Sequence, residues 1–238
     1  MEKMPMPQKT IPPIGAFLLL SALVVVSLSG CIGGKNPANF RRSDPSEYYL
    51  YIPEGYSPEK KWPVFIGIHG FGGSGIDCWN AWQQYADTEG FILVCPSFAD
   101  SGGGWYQDDA ENKLNNILNS VYEEYSIQPQ YFLAGFSAGA QFVQGYAYNY
   151  AKWVKAVSVI SAGNFYAPGN SKAKNVYFRV SVGDLDTERI DLAKDYAQML
   201  KSRNFRVSYY VLEGVGHTLS VQAKELTIDL FHNLYSGQ

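Results

Sequence analysis

The run Gly135-Phe136-Ser137-Ala138-Gly139 sets a serine between two glycines at the spacing G-x-S-x-G. It falls where an apolar stretch, "YFLAGF", gives way to a helical one, "SAGAQFVQGYAYNY". A sharp turn at such a junction lifts the hydroxyl above a sheet, and flanking residues without bulk let backbone pass closely on either side. The helix that follows places its positive end behind the oxygen. Ser137 is therefore a candidate nucleophile, and a serine needs a base. The chain has three histidines. His69 precedes Gly70 at a strand end, where local hydrogen bonding and loop shaping are expected. His232 lies near the end of the last helix, on a surface or packing face. His217, in "GVGHT", follows the strand "VSYYVLEG" and stands just before a helix. That is the sheet end where sites of open α/β folds assemble, so His217 is the expected base.

A carboxylate must then fix the other imidazole nitrogen. "VSVGDLDTER" offers Asp184 and Asp186, and either could instead cap a helix. Asp186 is preferred because it lies further into the loop and nearer the helix start.

A second glycine-rich stretch, "IGIHGFGGSG", admits two readings. Gly70, Gly72 and Gly75 fit G-x-G-x-x-G, the spacing that cradles a dinucleotide pyrophosphate. That site would want an acidic residue at the end of the following strand, yet "FILVCP" ends in Cys95-Pro96. The glycines also follow a mid-sheet strand rather than an initial β-α-β unit. With a serine downstream, the loop is better read as half of an oxyanion hole built from the amides of Phe71 and Ala138. No organic cofactor is expected, and no Cys/His cluster suggests a metal site.

The elements that must position these residues alternate along the chain. Tyr48 to Ile52 reads as an early strand, and "PVFIGIH" and "FILVCP" as strands buried on both faces. "CWNAWQQYADTEG" lies between them as a helix closed by Gly90. From Asp108, a plausible N-cap, Leu114, Ile117, Leu118, Val121, Tyr122 and Tyr125 recur at helical spacing, and Pro129 lies beyond the end. "YFLAGF", "KAVSVIS", "VYFRVSVG" and "RVSYYVLEG" complete the strands. The helices 188–201 and 221–235 flank the last of them. This order predicts an α/β domain over residues 47–238: a mostly parallel sheet with helices on both faces and no large lid.

The net charge of −3 and the absence of a dense Lys/Arg run give no footprint for nucleic acid. At the N-terminus, Lys3 and Lys9 precede an apolar run from Ile14 to Leu28, which is a secretory signal pattern over residues 1–30. "LSGC" resembles the lipobox of secreted lipoproteins. That resemblance implies lipidation at Cys31, a polar tether over 31–46 and an extracytoplasmic, membrane-anchored domain. An uncleaved anchor or plain cleavage and secretion are the alternatives. Outside the cytoplasm a disulfide between Cys78 and Cys95 is chemically allowed, with two buried thiols as the other outcome.

Together, "PVFIGIHGFGGSG", "QYFLAGFSAGAQF", "SVGDLDTE" and "YYVLEGVGH" resemble the α/β-hydrolase superfamily, whose chain order is nucleophile, acid, base. Within it they are similar to compact esterases grouped with polyhydroxybutyrate depolymerases, feruloyl esterases and phospholipase/carboxylesterase-type enzymes. In those relatives the acid is the second aspartate of a Gly-Asp-x-Asp turn, which independently favours Asp186. The resemblance implies a serine esterase with Ser137, Asp186 and His217 as its triad. An acyltransferase or peptidase using the same triad, or a binding protein on this scaffold, stand as alternatives. Phe71, Trp79, Phe98, Trp105, Tyr106, Phe136 and Phe165 are expected beside the catalytic edge. Trp105, Tyr106 and Phe136 are the candidate substrate contacts, with water exclusion as their ordinary role.

Overall fold

The computed structural model describes residues 39–43, 46–98, 109–169 and 171–236. Residues 1–30, Cys31, Trp105, Tyr106 and Asp108 lie outside the described residues.

Strand β3 (Val64–Ile68) is buried at every position, which is why its sequence shows no polar alternation. Parallel to it run β4 (Ile92–Ser97) on one side and β5 (Tyr131–Phe136) on the other. Beyond β5 the sheet continues in parallel through β6 (Val154–Ile160), β7 (Tyr177–Gly183) and β8 (Arg206–Leu212). Beyond β4 it finishes with two antiparallel pairings, β2 (Ser46–Tyr51) on β4 and β1 (Asn39–Ser43) on β2. The eight strands are ordered β1-β2-β4-β3-β5-β6-β7-β8.

Among the described residues the first strand is thus Asn39–Ser43, inside the stretch expected to be tether, and the sheet does not start at residue 47. Polarity misled the sequence reading here. An edge strand is bounded by solvent and tolerates charge, so "NFRRS" looks the same as a linker.

Two faces bury the sheet. Helices α1 (Gly75–Glu89) and α5 (Val221–Tyr235) cover one. There Phe91 and Phe132 stack on Phe65, with centroids 4.9 and 5.1 Å away, and Phe231 meets Phe91 and Phe132 edge-on. Helices α2 (Ala110–Glu124), α3 (Ala138–Asn149) and α4 (Ile190–Ser202) cover the other, over Ile66, Leu133, Val157 and Phe178. Residues alternate between these cores along each strand, as the period of two requires. The β6–β7 link contains one short 3₁₀ helix, Ser171–Asn175.

Cys78 on α1 and Cys95 on β4 are joined by a disulfide, with Cα atoms 5.7 Å apart. The bond ties α1 to the strand that follows it, across 17 positions of sequence. Replacing both cysteines by alanine is expected to lower unfolding free energy by about 3 kcal/mol, through the freed unfolded chain. Urea denaturation of the variant and the parent measures it, and equal midpoints would contradict the expectation.

Candidate active site

Parallel register brings the carboxyl ends of the central strands to one rim. Ile68 lies beside Gly135, Phe136 beside Ile160, Ile160 beside Ser181, and Gly183 beside Leu212. The segments leaving β3, β5, β7 and β8 therefore meet there, carrying His69 to Phe71, Ser137, Asp184 to Asp186 and His217.

Ser137 has φ 54° and ψ −116°, a left-handed backbone that a serine rarely adopts. Such a conformation costs on the order of 1–3 kcal/mol and persists only when its surroundings enforce it. The surroundings are visible in the two glycines. A Cβ on Gly135 would lie 2.2 Å from the Gly139 carbonyl oxygen, and one on Gly139 would lie 2.4 Å from that of Ile68. Backbone fills both places. The turn is thereby wedged between the first turn of α3 and the end of β3. The Ser137 amide donates to the Ile160 carbonyl at 3.0 Å, fixing it further.

The oxyanion candidates sit on the two segments this wedge brings together. Ala138 is the first residue of α3, so its N–H belongs to the unpaired donors of a helix start. Phe71 follows the His69-Gly70 pair at the end of β3. Among the described residues neither amide donates to a protein acceptor. His69 shapes this loop. Its buried ring accepts from the Phe98 amide at Nε2 (2.9 Å) and donates from Nδ1 to the Gly70 carbonyl (2.8 Å). Burial lowers the imidazole's pKa below its usual value, against the opposing pull of the Gly70 bond and Asp77.

His217 Nε2 lies 3.0 Å from Ser137 Oγ, and its Nδ1 lies 2.8 Å from Asp186 Oδ2. With Nδ1 donating to the carboxylate, Nε2 is free to accept the serine proton. The Phe136 ring packs against the imidazole, centroids 4.9 Å apart. Asp186 is almost fully buried. Burial pushes its carboxyl up, but hydrogen bonds from His217 and from Arg189 Nη1, at 2.9 Å to Oδ1, outweigh that and hold it below the ordinary carboxylate value. Asp184 does a different job: its Oδ1 accepts from the Val215 amide at 3.2 Å and braces the loop that carries His217. His232 pairs with Glu89 at 3.0 Å on the surface, joining α5 to α1.

Two cavities flank Phe71, and Ser137 lines the first of them. One, of ≈ 410 Å³, is walled by Phe71, Gln141, Phe142, Tyr166, Glu111 and Arg189. The other, of ≈ 330 Å³, lies across Phe71 and is walled by Gly70, Trp82, Phe136, Leu219 and the Cys78 end of the disulfide. Phe71 borders both and is 69 % exposed. Phe98 is fully buried against Phe142 and His69, and its amide donates to the imidazole. Phe165 stacks on Tyr196 and Trp79 meets Tyr51 edge-on. Arg189, Glu111, Gln141 and Tyr166 were not singled out from the sequence. Only Arg189 had a usable signal, three positions after an acid that needed a partner.

No family model matches the chain. It is 32% identical over 160 residues to a protein described as "Probable feruloyl esterase C" from Aspergillus terreus, which covers 61% of this chain and 57% of that one. The chain thus spans about three fifths of the length of the curated relatives it matches. Among solved structures it resembles S-formylglutathione hydrolase from Staphylococcus aureus, with TM-score 0.67 and 13% identity over 82% of this chain and 95% of that one. It also resembles a ferulic acid esterase from Anaeromyces mucronatus solved with ferulic acid, with TM-score 0.62 and 16% identity over 78% and 84%. The fold is the α/β-hydrolase fold.

Proposed function

We propose that this chain is a serine esterase that hydrolyses carboxylic esters through an acyl-enzyme. The observation that carries the reading is the unbroken hydrogen-bond line from Ser137 Oγ through His217 to Asp186, at 3.0 and 2.8 Å. Ser137 attacks the ester carbonyl while His217 Nε2 takes its proton. The oxyanion that forms is held by the amides of Phe71 and Ala138, each such donor typically supplying about 3 kcal/mol in the transition state. His217 returns the proton to the departing alcohol. Water, activated by the same imidazole, then releases the acid. Asp186 remains a carboxylate throughout, orienting the ring and stabilising its charged form.

Similarity to feruloyl esterases, together with Phe71 in the cavity lined by Ser137 and Phe136 packed on His217, favours an aryl acyl group attached to a carbohydrate alcohol. The test is a set of initial rates on methyl ferulate, an acetylated xylo-oligosaccharide, a hydroxyalkanoate oligomer and p-nitrophenyl acetate. Methyl ferulate is expected to exceed the acetylated sugar in kcat/KM by about tenfold or more, the scale an apolar pocket gives. A flat profile would remove the aryl assignment and leave a general esterase.

The reading places the domain outside the cytoplasm, held to a membrane by a lipid on Cys31. The Cys78–Cys95 disulfide supports an oxidising location. Growth with a radiolabelled fatty acid tests the anchor: the parent protein should carry label and Cys31→Ala should not.

A further inference from the structure

Asp186 has both carboxylate oxygens committed, Oδ2 to His217 and Oδ1 to Arg189. The arginine is held in that role by its own backbone. Its amide donates to the Asp186 carbonyl at 2.9 Å, closing the turn that starts α4. The pair is not a surface ion pair: the side chains of Arg189 and Asp186 are 21% and 2% exposed. Solvent therefore screens it weakly. The guanidinium also lies in the wall of the cavity beside Ser137, where its Nε makes no hydrogen bond among the described residues.

Resting on the esterase reading, we infer that Arg189 is a positioning residue for the reaction, fixing the Asp186 carboxylate so that it is aimed at His217 and placing a positive charge beside the pair. Other groups facing the pair are few. Glu188 takes a longer contact to Arg189 Nη1, at 3.3 Å, and is exposed. Asp184 is engaged with the Val215 amide, and the Tyr209 hydroxyl donates to the Ile190 carbonyl. Glu111, from α2, shares the cavity wall and bonds Asn149. Among the described residues the cation adjacent to the Asp186–His217 pair is thus Arg189, and removing it leaves the carboxylate's charge beside the imidazole unopposed.

The experiment is kcat/KM for p-nitrophenyl acetate across pH 4.5–9 (roughly the range in which a histidine base titrates) for the parent, Arg189→Met, Arg189→Gln and Arg189→Lys. In the two neutral variants the plateau should fall about tenfold, as for loss of a supporting partner. Their acidic limb should move to higher pH by about one unit, the scale of one nearby unit charge. Arg189→Lys should keep the limb near the parent position while losing part of the plateau. A limb unmoved in the neutral variants, or moved equally in Arg189→Lys, overturns the inference. So does failure of all three to fold by circular dichroism, since the residue would then be structural. A parent that neither hydrolyses the ester nor takes a fluorophosphonate at Ser137 overturns the esterase reading itself. A parent that reacts, with variants that share its limb, overturns only the role of Arg189.

Discussion

Ser137→Ala is expected to lower kcat by about 10⁴- to 10⁶-fold on any ester the parent accepts, and to abolish fluorophosphonate labelling. The residual rate comes from the Phe71 and Ala138 amides and from substrate binding, which the substitution leaves in place. The fold should be intact, because the hydroxyl is not what holds the turn. Backbone does that: the Ile160 carbonyl takes the Ser137 amide, and Gly135 and Gly139 let the chain close around it. A companion variant separates strain from chemistry. Ser137→Gly should be equally inactive yet more stable than the parent by roughly 1 kcal/mol, because glycine adopts φ 54° without penalty. Urea midpoints of the three proteins read this directly. A fully active Ser137→Ala enzyme would end the proposed mechanism.

Asp186→Asn is expected to cost about 10⁴-fold in kcat with little change in KM. The asparagine amide can meet His217 with an N–H, which forces the imidazole to present Nδ1 as acceptor and Nε2 as donor. The ring then cannot take the Ser137 proton. Arg189 loses its anionic acceptor in the same step. Stability should respond to pH as well. The folded carboxyl sits below its usual 3.8, so it stabilises the fold above that value. That contribution fades as pH falls through the lowered folded value, and Asp186→Asn should lack this acid-dependent part. Denaturation midpoints of parent and variant across the acid range measure the difference. Identical pH dependence would contradict the assignment of Asp186 as the ionised partner.

The α/β order and its central strands were legible because buried parallel strands and amphipathic helices write distinct periods into sequence. Ser137 and His217 were legible because glycine punctuation marks the sharp turns that carry them. Choosing Asp186 over Asp184 was harder, since two aspartates in one turn differ only in which way the loop aims them. The coordinates separate the two: one meets the imidazole, the other braces Val215. Strand β1 escaped because an edge strand obeys solvent rather than core. The bond from the Phe98 amide to His69 spans twenty-nine positions and leaves no local pattern in the sequence. Glu111 and Gln141 reach the cavity through helix docking, which no local pattern records.

Under the proposed mechanism, the buried His69 bridge gives acid a way to remove activity that does not pass through the triad. A proton on His69 takes away the only lone pair that receives the Phe98 amide, and unlatches the segment bearing one of the two oxyanion donors. Because burial holds that imidazole neutral below the pH at which a free one would charge, the latch gives way later, as conditions become more acidic. Activity lost as acid opens this latch should therefore return only as the loop refolds.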